Sequence, residues 1–75
     1  MSPDKLVHMA NQIATFFTTK PEAEGLTGIA EHINAYWEPR MRLQLFALLD
    51  AGGAGFHPLF LAAAKGIKRP AAEAA

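Results

Sequence analysis

Few side chains in this sequence could perform catalysis or hold a metal ion. The chain of 75 residues has no cysteine, and its single serine, Ser2, stands where it would cap a helix. The histidines His8, His32 and His57 are far apart and lack the spacing of metal ligands. We therefore expect no catalytic residue, no metal site and no cofactor bound by this chain itself.

Two local patterns resemble parts of active sites, but each lacks a required partner. Glu31 and His32 are adjacent on a predicted helix, so their side chains diverge by about 100 degrees. The glycine-rich run 52–55 lacks the preceding strand, the lysine and the hydroxyl group of a phosphate-binding loop. Neither pattern predicts an enzyme, so binding to another macromolecule is the better interpretation.

The run from Trp37 to Arg42 is the strongest candidate for such binding. It places an aromatic side chain, a proline that bends the chain and two guanidinium groups at one junction. Trp and Arg are the residue types most enriched among dominant interface contacts. We expect Trp37 to anchor a partner, Arg40 and Arg42 to pair with its carboxylates or carbonyls, and Met41 to lie beside them. The alternative is that Trp37 only fills the core and the arginines face water.

Composition narrows the kind of partner. The formal net charge is zero, so the field that draws basic proteins to nucleic acids or anionic lipids is missing. No apolar run is long enough to span a bilayer, and the N-terminus does not have the pattern of a secretory signal. We expect a cytoplasmic protein with a protein partner, and with neither nucleic acid nor membrane as a ligand.

Capping signals divide the chain into helices. The Ser2-Pro3-Asp4 start predicts a first helix to about Thr18, and Thr19 to Glu22 has the spacing of a capping box for a second. A third helix should run from Pro39 to Asp50 and end at the glycines that follow, and a short fourth should begin at Pro58.

Apolar spacing indicates how these helices pack. The core stripe of each of the first two helices recurs at helical spacing, which favours an antiparallel pair. These stripes consist of Leu6, Met9, Ala10, Ile13, Phe16 and Phe17 on the first helix, and of Leu26, Ile29, Ala30, Ile33, Tyr36 and Trp37 on the second. The sequence therefore predicts an all-α fold: a small three- to four-helix bundle forming a single domain over 1–66, with a loose, flexible tail over 67–75.

Two surfaces should remain for a partner. The third helix carries Leu43 and Phe46 away from its main apolar face, which is more apolar surface than a bundle this small easily covers, unless the last helix covers them. The first helix presents an uncharged polar stripe of His8, Asn11 and Thr15. Such a stripe is compatible with water, but it also suits contact with protein.

Four ordered blocks resemble the small delta subunit of NAD-dependent, molybdenum-containing formate dehydrogenases. They are 9–14 with the following Phe pair, 28–33, 37–42, and 49–55 leading into Pro58-Leu59. The chain departs from that pattern at Glu38 and His57, where aspartate is common. The resemblance implies a non-catalytic accessory subunit of a larger hetero-oligomer that stabilises or assembles the catalytic alpha subunit. In such complexes the other chains hold molybdenum bis-guanine-dinucleotide, iron–sulfur clusters and flavin.

Two other functions stay open at this point. A transient maturation factor could bind the molybdenum cofactor or a guanine nucleotide through its arginines and helix N-termini. A small DNA-binding regulator is also conceivable from the short helices, although two arginines make a thin basic patch for it.

Overall fold

Helices make up most of the chain that the structure describes, which is residues 1–70 of a computed structural model. The helices are α1 (Pro3–Phe17), α2 (Glu22–Tyr36), α3 (Pro39–Asp50) and α4 (Pro58–Ala63), and a 3-10 turn (Ala64–Gly66) follows α4. This confirms the predicted all-α fold. Within these residues, no helix has both the length and the apolar character that crossing a membrane requires.

Local capping chemistry explains where three of the helices begin. The Ser2 hydroxyl accepts a hydrogen bond from the Lys5 amide at 3.2 Å, which caps α1. His57 caps α4 in the same way, because its Nδ1 accepts from the Leu59 amide at 3.0 Å. Prolines occupy the first turns of α1, α3 and α4, where a missing amide proton costs no helical hydrogen bond.

The predicted capping box before α2 is wrong. Pro21 is the N-cap residue of α2 and makes no side-chain cap, so Glu22 is the first helical residue. The Thr19 hydroxyl instead donates to the Phe16 carbonyl at 2.9 Å. The physical reason is that Thr18 and Thr19 both serve to end α1, which shifts the start of α2 two residues further along the chain.

Glycines end α3 as predicted. The amides of Gly52 and Gly53 donate to the carbonyls of Leu49 and Leu48, each at 3.0 Å, which satisfies groups at the open end of the helix. Gly53 has φ of +68, in the left-handed region that only glycine enters without strain. The chain can therefore reverse here and bring α4 back against α1 and α2.

The core lies where α2 meets α1 and α4. The residues that α1 buries, Leu6, Ala10 and Ala14, repeat one turn apart. Phe17, at the end of α1, packs beside Gly25 and Gly28 in the first half of α2. Ile13, one turn earlier on α1, lines the same notch as His32, which lies one turn later on α2. The two helices are therefore antiparallel, as predicted.

The packed fold continues beyond residue 66, after which the sequence predicts a loose tail. Ile67 is only 5% exposed, and the Lys68 amide donates to Asn34 Oδ1 at 2.8 Å. Asn34 Nδ2 also donates to the Gly66 carbonyl at 3.0 Å. Residues 67–69, which we name the C-terminal strap, thus belong to the packed structure. Residues 71–75 of the predicted tail lie outside the described residues.

Candidate protein-docking surface

Trp37 lies in the core and not on a docking surface. Its side chain is 4% exposed, and its ring centroid is 6.4 Å from that of Phe60 on α4. Trp37 ends α2 with an extended backbone, at φ −91 and ψ 116, and the chain turns into α3 from there. Trp37 therefore offers little area to a partner, because its side chain is already covered by this chain.

Arg42 and Phe46 are engaged by the C-terminal strap. Arg42 donates from Nε to the Trp37 carbonyl at 3.1 Å and from Nη1 to the Lys68 carbonyl at 2.7 Å. Phe46 is 7% exposed, with the Arg69 guanidinium 4.3 Å above its ring centroid. These two residues were expected to bind a partner. Phe46 is instead covered by the C-terminal strap of the same chain, which the apolar spacing of the helices did not predict.

Asn11 is likewise used inside the fold. Its side chain donates to the Gly55 carbonyl at 2.9 Å and accepts from the His57 amide at 2.8 Å. It fixes the loop between α3 and α4 against α1, so its side chain already has two partners within the chain. His8 and Thr15, from the same polar stripe, are exposed.

Three other predicted docking residues lie on α3. Arg40 is exposed, Leu43 is 38% exposed, and Met41 is half-buried against the core. We name Arg40 and Leu43 the α3 ridge. Contact of these residues with a partner stays a prediction, as it does for the other predicted docking residues.

A larger apolar surface lies on the α1–α2 pair, at residues that sequence reasoning placed in the core. Phe16 is 61% exposed and Tyr36 is 75% exposed. We name Phe16, Phe17, His32 and Tyr36 the aromatic face. Exposed aromatic side chains are the type most often found at the centre of protein interfaces.

The aromatic face is held in place from beneath. An ideal β-carbon on Gly28 would lie 2.3 Å from Phe17 Cε1, so the absence of a side chain on Gly28 makes room for the Phe17 ring. Phe16 meets Phe17 edge to face, with centroids 5.1 Å apart and planes at 87°. His32 and Tyr36, one helical turn apart, have ring centroids separated by 4.9 Å. The exposed rings therefore have fixed neighbours.

A notch of about 300 Å³ opens between the two helices at this face. It is lined by Gln12, Ile13, Phe16, Phe17 and His32, and hence by no carboxylate, lysine or arginine. Covering an uncharged surface avoids the cost of desolvating ions. The notch is suited to an apolar side chain of another protein.

Sequence reasoning missed this face because it assigned the large side chains of each stripe to the core. In the structure the buried positions of the two helices include small residues, namely Ala10 and Ala14 on α1 and Gly25 on α2. Phe16 and Tyr36, which belong to the predicted stripes, stay exposed. The recurrence of Ala and Gly about one helical turn apart is the sequence signal that could have indicated the exposure of Phe16 and Tyr36.

The described residues offer little for direct chemistry. Within residues 1–70 no three His, Asp or Glu side chains are grouped so as to hold a metal ion, and the whole sequence has no cysteine to ligate an iron–sulfur cluster. One exposed ion pair joins Arg69 and Asp50, with bonds of 2.9 and 3.0 Å. The Arg69 guanidinium, by donating both hydrogen bonds, lowers the pKa of the Asp50 carboxyl from its usual value.

Comparison with known proteins identifies the family. Residues 5–64 match the family model described as FdsD, the NADH-dependent formate dehydrogenase delta subunit. Comparisons with curated proteins and with solved structures gave no match. Because the family match covers most of the 75 residues, and agrees with the resemblance of the four sequence blocks, this chain belongs to the delta subunit family of NADH-dependent formate dehydrogenases.

Proposed function

We propose that this chain is a non-catalytic accessory subunit of a cytoplasmic, NAD-dependent formate dehydrogenase complex. A delta subunit is one component of such a complex, so the chain has partner subunits. In our proposal it docks on the molybdenum-bearing catalytic alpha subunit and stabilises or helps to assemble it. The molybdenum bis-guanine-dinucleotide, the iron–sulfur clusters and the flavin are held by the other chains.

The observation that carries this proposal is the exposure of Phe16 and Tyr36 on the aromatic face. Removing a large apolar side chain from water contributes about 1.5–3 kcal/mol, so leaving both exposed forgoes stability that a small domain needs. A partner that covers them recovers this free energy. The rings also have fixed neighbours in Phe17 and His32, so little side-chain freedom is lost on docking.

The sequence predicts docking through Trp37, Arg42 and Phe46, but these side chains already contact other parts of the same chain. The aromatic face therefore replaces them as the main docking surface in our proposal. The α3 ridge remains a second candidate surface. The two can be separated by mutation, because the aromatic face is formed by α1 and α2 and the ridge by α3.

A maturation factor that binds the cofactor or a guanine nucleotide is the less favoured function. The chain has three arginines, and two of them are engaged, Arg42 with carbonyl oxygens and Arg69 with Asp50. The same engagement disfavours a DNA-binding regulator, which needs many contacts to phosphates. We therefore retain only the accessory role.

Calorimetric titration of the catalytic subunit with this chain and three variants tests the proposal. Phe16→Ala combined with Tyr36→Ala removes the exposed rings and should weaken binding by roughly 30-fold or more, the effect of losing about 2 kcal/mol at a hot spot. Leu61→Ala is the matched control, because Leu61 is a 40% exposed leucine on α4. Circular dichroism should show all variants folded.

The outcomes separate the two surfaces and the function itself. The Arg40→Ala, Leu43→Ala double variant tests the α3 ridge. If it lost affinity while the Phe16→Ala, Tyr36→Ala variant bound normally, the docking surface would be the α3 ridge and not the aromatic face. Absence of any binding by the wild-type chain to the catalytic subunit would contradict the accessory role.

A further inference from the structure

The zero net charge of the chain conceals an uneven distribution of its basic residues. The sequence has seven lysines and arginines, and five of them fall in two short segments. These five, Arg40, Arg42, Lys65, Lys68 and Arg69, we name the basic patch. The other two, Lys5 and Lys20, lie in the first 20 residues.

The fold joins the two segments. The hydrogen bond from Arg42 Nη1 to the Lys68 carbonyl, at 2.7 Å, attaches the C-terminal strap to the first turn of α3. The Lys68 backbone amide also donates to Asn34 Oδ1 on α2, at 2.8 Å. Residues more than 20 positions apart in the sequence are thereby held together beside the C-terminal part of α2.

Carboxylates near the patch are fewer than its cations. Asp50 pairs with Arg69 at 2.9 Å, Glu38 immediately precedes α3, and Glu31 lines the same groove as Lys65. Among residues 1–70, only the Arg69–Asp50 pair brings a basic side chain within salt-bridge distance of a carboxylate. Arg40, Lys65 and Lys68 are all exposed. The patch therefore presents a net positive surface.

We propose that the basic patch steers this subunit onto an acidic surface of its partner subunit. This inference rests on the proposed function. A protein carboxylate surface suits the patch better than nucleic acid, since three local carboxylates and five cations provide little net charge for a phosphate backbone. The groove that Lys65 lines also contains Glu31, which disfavours a small anion there.

Such a patch acts mainly on the rate of association. Complementary charges at the border of an interface raise the rate of encounter, and their effect declines as salt shortens the screening length. That length is about 10 Å at 0.1 M salt and about 3 Å at 1 M. The aromatic face would then govern how long the complex lasts.

The test compares two double variants with identical changes in charge. Lys65→Glu with Lys68→Glu reverses the patch, whereas Lys5→Glu with Lys20→Glu reverses the two lysines outside it; all four side chains are exposed. Association and dissociation rates with the immobilised catalytic subunit would be measured by surface plasmon resonance at about 0.1 M and about 1 M salt. The patch variant should associate at least about tenfold more slowly at low salt, with the difference much reduced at high salt.

Several outcomes would overturn the inference. Equal association rates for the two double variants would show that the position of the charges is irrelevant, while leaving the proposed function intact. Tight, salt-dependent binding of the wild-type chain to a short DNA duplex, lost in the patch variant, would assign the patch to nucleic acid instead. Failure of the wild-type chain to bind the catalytic subunit at either salt concentration would overturn both the inference and the proposed function.

Discussion

The Phe17 ring occupies the space that a side chain on Gly28 would need. A β-carbon built on Gly28 would lie 2.3 Å from Phe17 Cε1 and 2.9 Å from Cδ1 and Cζ, distances that no packed structure tolerates. The glycine on α2 thus determines where the last residue of α1 lies. Because Phe17 also contacts Phe16 edge to face, the exposed part of the aromatic face depends on this contact.

Gly28→Ala should therefore destabilise the fold even though alanine is the better helix former. Alanine gains about 1 kcal/mol of helix propensity, but displacing the Phe17 ring costs about 1–3 kcal/mol. We expect a net loss of up to about 2 kcal/mol in urea unfolding, together with weaker binding to the catalytic subunit. A stability increase of about 1 kcal/mol, as propensity alone predicts, would disprove the contact.

Asn11→Ala should loosen the loop between α3 and α4. The substitution leaves the Gly55 carbonyl and the His57 amide without their partner, and each unsatisfied group costs about 1–3 kcal/mol when it is buried. Because the bond to Gly55 is exposed and the bond from His57 is partly buried, we expect a total loss of about 1–3 kcal/mol, measured by thermal unfolding.

His8→Ala and Thr15→Ala are the controls for Asn11, since both residues are exposed on the same helix. Each should change stability by less than about 0.5 kcal/mol. An Asn11→Ala variant as stable as these controls would show that the two hydrogen bonds do not hold the loop.

The Arg69–Asp50 contact should weaken in acid. Because the hydrogen bonds from Arg69 lower the pKa of Asp50, the contact favours the fold above the usual pKa of 3.8 and is lost as the pH falls through the lower folded value. In Arg69→Gln, a carboxyl titration followed by NMR should show Asp50 with a higher pKa than in the wild type. Identical titration midpoints in the two proteins would mean that the ion pair does not form in solution.

Trp37 should be important for stability and Arg40 should not. Replacing a buried Trp by Ala costs about 3–5 kcal/mol, which is comparable to the whole stability of a domain of this size. Trp37→Phe is the milder variant and should remain folded but less stable in urea. Arg40→Ala should lie within about 0.5 kcal/mol of the wild type. If Trp37→Phe matched Arg40→Ala, the core position of Trp37 would be in doubt.

Helix boundaries were predictable because they depend on local chemistry. Ser2, Pro39 and Gly53 each act through the backbone of their own turn, so their roles do not depend on distant contacts. The capping box at Thr19 failed for a related reason: two neighbouring helix ends compete for the same few residues. A single sequence does not indicate which helix end prevails.

The docking surface was less predictable because it depends on contacts between distant segments. The apolar surface predicted to meet a partner is partly covered by the chain itself, since Arg69 lies over Phe46 and α4 packs on Trp37, while Leu43 stays exposed. The polar side chains Asn11, Asn34 and Arg42 hold loop and strap through bonds that span 26 to 46 residues. No periodic pattern reports such bonds.

Chemical modification of Tyr36 tests docking through the aromatic face most directly. Tyr36 is the only tyrosine in the chain and is 75% exposed, so a tyrosine-specific reagent followed by mass spectrometry reports on this surface alone. The account predicts rapid modification of the free subunit and strong protection when the subunit is assembled with the catalytic chain. Equal modification of the free and assembled subunit would contradict it.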